Sequence, residues 1–98
     1  MNETQRAPIE RLAFGNEAQA EMSIRLAIGI NSEAVAFAVD RIMVKSFIDW
    51  MKRNWDMSVD VNTRQSIDQM AHPKIVKHSK KLMKAQLKKW GLSDQVKL

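Results

Sequence analysis

An all-α fold, a small bundle of three to four helices, is what this chain predicts, and three observations predict it. Only three Gly and two Pro occur in 98 residues, too few for the turns of an all-β fold. Long segments carry apolar residues at helical spacing, set between residues that start and stop helices. Hydrophobic residues at 45% and charged residues at 28% match ordinary globular usage rather than a disordered chain. The length suits one domain over 1–98, burying about 60–65% of the unfolded chain's surface.

Residues 1–15 read as a flexible or partly helical arm. They are polar, contain Pro8, and offer only Ile9, Leu12 and Phe14 as larger apolar groups after the initiator. A short helix can follow Pro8, because proline suits a first helical turn. The next segment, 17–28, reads as a helix. Asn16 is its N-cap, Gln19 completes a capping box, and Gly29 supplies the stop. Against this, Met22, Ile24, Leu26, Ile28 and Ile30 alternate with smaller side chains, which is strand spacing. Ala18, Ala20, Ala27 and the caps favour helix.

Residues 33–53 form the strongest helix of the sequence, capped by Asn31 or Ser32. One apolar row is Val35, Val39, Ile42/Met43 and Trp50; a second is Phe37, Val44, Ile48, Met51 and Trp55. Only Arg41, Lys45, Asp49 and Lys52 make a consistently polar stripe, so this helix must be surrounded by its neighbours or by a partner. The short link Gly29–Asn31 predicts an antiparallel hairpin with the preceding helix. Residues 54–61 then connect, with one alternating run, Met57 to Val61, that has no second strand to pair with. Asn62, with Gln65 three residues on, caps a short helix ending near Ala71. Pro73 breaks it and opens a last helix that ends at Trp90 before Gly91, leaving 92–98 as a frayed tail. The His72–Pro73 bond can take either isomer.

Charge divides the chain. Residues 1–68 hold eight Lys/Arg against ten Asp/Glu, whereas residues 69–98 hold eight Lys against Asp94 alone. Helical spacing puts Ile75, Val76, Ser79, Leu82, Met83, Leu87 and Trp90 on one side of the last helix. Lys74, Lys77, Lys81, Lys84 and Lys88 fall on the other, with Lys80 and Lys89 at its margins. Such a face can be a solvated surface, a contact for nucleic-acid phosphate, or a contact for an acidic protein surface or anionic lipid. It contains no arginine, so any nucleic-acid binding through it is directed to the backbone and weakly sequence-specific. A helix-turn-helix over 63–90 is disfavoured by the abrupt turn without Gly and by lysines where base-reading side chains belong.

Other chemistry is mostly excluded. There is no Cys, hence no disulfide and no thiolate metal site. Asp56, Ser58, Asp60 and Asn62 resemble the first ligands of a calcium loop, but Val61 and Ile67 stand where its Gly and Glu belong. His72 and His78 lack a carboxylate pair to complete a zinc set. Ser66, Asp68 and His72 sit in no nucleophile motif, and three isolated glycines make no phosphate loop. No cofactor, no metal and no enzymatic activity are expected. No secretory signal and no apolar run of about 18 residues is visible, so a cytoplasmic location is the default.

Two functions remain. In the first, a small regulatory protein docks its basic last helix on nucleic acid, or on a protein of a nucleic-acid-handling complex. In the second, it is an interaction module or inhibitor that grips a larger protein through Trp50, Met51, Trp55 and Trp90. The same apolar surface would also serve a homodimer.

Overall fold

One long helix, α3 (Ser32–Trp55), stands at the centre and touches every other helix. Around it lie α1 (Glu3–Ala13), α2 (Glu17–Ile28), α4 (Ile67–Met70) and α5 (Pro73–Lys89). The computed structural model describes residues 1–57 and 64–98, and no strand occurs among them. The Cα radius of gyration is 12.8 Å, the value of a closely packed chain of this length.

The amino-terminal segment, expected as a flexible or partly helical arm, is helical from Glu3 to Ala13. The Asn2 side chain accepts the Gln5 N–H at 3.0 Å, and the Gln5 side chain accepts the Asn2 N–H at 3.2 Å. This capping box starts α1 five residues before Pro8, which then lies inside the helix and forfeits one backbone hydrogen bond. Tertiary contact offsets that loss. Ile9 and Ala13, one turn apart, are buried as α1 lies against α2 and α3.

α2 has the expected bounds, and its box is complete: Asn16 accepts from Gln19 N–H, and Gln19 from Asn16 N–H, both at 2.9 Å. Ala20, Ser23, Ile24 and Ala27 are buried, while Met22 and Leu26 are 56% and 41% exposed. The alternation that suggested a strand is therefore two sides of one helix, and the Ser23 hydroxyl satisfies itself on the Ala20 carbonyl at 2.6 Å.

α3 begins when the Asn31 side chain accepts the Ala34 N–H at 2.8 Å. It ends at Asp56, whose φ of +50° turns the chain out of the helix; aspartate is among the few side chains that tolerate this region. Its polar stripe needs correction at Arg41, which is 2% exposed. The guanidinium lies over the Phe14 ring at 5.3 Å, with Nε 3.6 Å from the Glu10 carboxylate. Both partners come from α1 and its C-cap, so the docking of that helix is what buries Arg41. Lys45 and Asp49 keep to the stripe as an ion pair one turn apart.

The short fourth helix starts at Ile67, not after Asn62; residues 64–66 are non-helical. The expected Asn62 cap, the alternating run 57–61 and the Ser58, Asp60 and Asn62 positions of the rejected calcium loop extend outside the described residues. Four residues cannot hold a helix by themselves. The Ile67 side chain is buried, and its N–H donates to the Asp40 carboxylate of α3 at 3.0 Å. The His72–Pro73 bond is trans, as are all described peptide bonds.

The tail, expected to fray, turns back toward the core at two residues. Gly91, at φ +73°, closes a Schellman motif in which Leu92 N–H donates to the Leu87 carbonyl at 2.9 Å and Gly91 N–H to Lys88 at 3.1 Å. That turn sends Leu92 and Val96 into the core, where both are buried.

Candidate nucleic-acid interface

Pro73 opens α5 without needing an N–H partner, and the His72 Nδ1 accepts the Lys74 N–H at 3.2 Å. His72 thus has a structural task. From there the helix buries Val76, Met83 and Leu87, and half-buries Ile75, Ser79, Gln86 and Trp90. Rotation by about 100° per residue gathers Lys74, Lys77, Lys81, Lys84 and Lys88 into an arc about 80° wide. At about 1.5 Å per residue the row is about 21 Å long.

All five are exposed. Among the described residues, no carboxylate lies within ion-pair distance of any of them. Lys89 is the contrast: it projects to the other side, where its Nζ meets the Glu17 carboxylate at 3.0 Å. Hydrogen bonds from Lys89 and then Gln86 hold the Glu17 carboxyl below its usual range. An open depression of 730 Å³ lies along the first half of the row, lined by Lys74, Lys77, Lys80, Lys81 and Lys84, with Asp68 as the one acid at its edge.

The four apolar candidates do not form one surface. Met51 is 6% exposed and belongs to the core, which removes it as an interface anchor. Trp50 is half-buried between Phe47, stacked at 6.2 Å, and Trp55, edge-on at 4.6 Å. Trp55 is 53% exposed beside Met57 at 50%. Trp90 lines a different place, a groove of 600 Å³ between the start of α2, the middle of α3 and α5. Leu82, expected on the packed side of the last helix, is 57% exposed in this groove. The apolar arc of α5 is wider than its neighbours cover, and hydrophobic spacing alone does not show where cover ends.

No group of His, Asp or Glu among the described residues could hold a metal ion. No described helix is long and apolar enough to cross a membrane. No family model, curated protein or solved structure matches the chain.

Proposed function

We propose that this chain is a non-enzymatic binding protein that docks the lysine row of α5 on the phosphate backbone of nucleic acid. The observation that carries the reading is five exposed ammonium groups on one flank of α5 that form no ion pair with a carboxylate among the described residues. Each can neutralise one phosphate and release its counterion. Lysine without arginine supplies point charges and no bidentate fork for base edges, so affinity is weakly dependent on sequence. The buried row on the opposite flank keeps the charged row straight.

Fluorescence anisotropy with a labelled DNA duplex of mixed sequence tests it. Five phosphates give a slope of log K against log salt of about −4.5, a loss of about 500-fold between about 50 and 200 mM. Replacing Lys74, Lys77, Lys81, Lys84 and Lys88 together by Gln removes binding while the helical circular dichroism stays unchanged. Absence of binding by the parent chain to any nucleic acid at about 50 mM salt overturns the reading.

A second reading rests on Trp55 and Met57, each about half exposed at the end of α3. Trp is favoured at binding hot spots, so this edge suits a protein partner. Trp55→Ala, which also removes the edge-on contact to half-buried Trp50, would then lower affinity for that partner by at least tenfold while nucleic-acid binding is unaltered.

A further inference from the structure

We infer that the nucleic acid which the lysine row fits is a duplex rather than a single strand; this rests on the preceding reading. Three observations carry it. First, the row is rigid. It belongs to a helix capped at both ends, by His72 at the start and the Gly91 turn at the stop, with one flank buried in the core. Its charges hold a fixed line about 21 Å long. Second, a duplex is the denser and stiffer partner for such a line. It carries one charge per about 1.7 Å of axis, whereas a flexible strand must be straightened before it meets the same lysines.

Third, the row carries no large aromatic platform for bases to stack on. Proteins that hold single strands combine cationic grooves with aromatic platforms, each stacked base adding affinity. The exposed arc from Lys74 to Lys88 has no Phe, Tyr or Trp. Trp90 faces the groove beside α2, and Trp50 and Trp55 lie at the end of α3. The rings near the lysines are the imidazoles of His78 and of His72, which is engaged in capping Lys74 N–H. The surface is thus made for phosphates already arrayed, not for splayed bases.

The test measures the full chain against a labelled duplex of about 20 base pairs and against each of its strands alone, at about 50 mM salt. The duplex is expected to bind at least about tenfold more tightly, with a salt slope near −4.5 against about −3.5 for a strand. A gain-of-function variant checks the reason. Ala85 is exposed, one turn from both Lys81 and Lys88. Ala85→Trp should raise single-strand affinity by at least about fivefold and leave duplex affinity in place. Single strands bound as tightly as the duplex by the parent chain overturn this inference and leave the phosphate reading standing. Binding to neither overturns both.

Discussion

At the scale of single residues, Asp40 has the clearest consequence. Burial raises its carboxyl above the usual range, opposed by the Ile67 N–H and Arg41 and reinforced by nearby Asp68. The folded chain then holds this proton more tightly than the unfolded chain. Its stabilising effect is therefore full at low pH and fades as pH rises through the raised folded value. Asp40→Asn keeps an oxygen for the Ile67 N–H and removes the buried charge. It should be more stable than the parent at neutral pH and lose this part of the pH dependence, as urea unfolding at several pH values would show. Asp40→Ala leaves that N–H without its acceptor and should lose about 1–2 kcal/mol. Glu3 and Glu17 act in the opposite sense. Arg64 and Lys89 hold them low, so their small, screened contributions are present above the usual carboxylate range and fade as pH falls. Gly91 is a backbone case. A Cβ there meets nothing within 4 Å, yet φ of +73° strains most other residues, alanine included, so Gly91→Ala should cost about 1 kcal/mol in thermal unfolding.

Among the elements, α1 differs most from its sequence reading. Its buried stripe is only Ile9 and Ala13, just after a proline, and a stripe that thin resembles an arm until the surface it covers is known. Ile9 is 0% exposed, so Ile9→Ala should lose about 2–5 kcal/mol, a loss no arm residue would show in denaturant unfolding. α2 was legible because Asn16, Gln19 and Gly29 act locally, through side chains three residues from their targets. α4 was placed too early: its box is the local pair Ser66 and Gln69, with Ser66 N–H donating to Gln69 at 3.1 Å, and the Asp40 carboxylate from 27 residues away accepts the Ile67 N–H as well. The candidate site divides the same way. Lysine spacing along α5 is local, whereas the exposure of Leu82 and the turn of Lys89 toward Glu17 depend on where α2 and α3 stand.

For the whole molecule, net charge and stability pull apart. The five lysines of the row equal in number the chain's formal net charge of +5. Their replacement by Gln brings the net charge to zero and relieves repulsion along one helix. The variant should stay folded, since exposed substitutions change stability by about 0.5 kcal/mol or less each, in either sign. It should also be less soluble at neutral pH, where the parent's charge opposes association. Retained folding with lost nucleic-acid binding would separate the function of the row from the packing behind it.

Alone, the sequence determined the helical class, the bounds of α2, the central length of α3 and the register of the lysines. All of these follow from contacts within a turn or two of chain. Tertiary structure alone decided that α1 is buried along Ile9 and Ala13, that Arg41 and Met51 are core, that Leu92 and Val96 return to the interior, and that Lys89 meets Glu17. Those outcomes depend on groups far apart in sequence arriving side by side, and burial, unlike capping, is a property of the neighbour as much as of the residue itself.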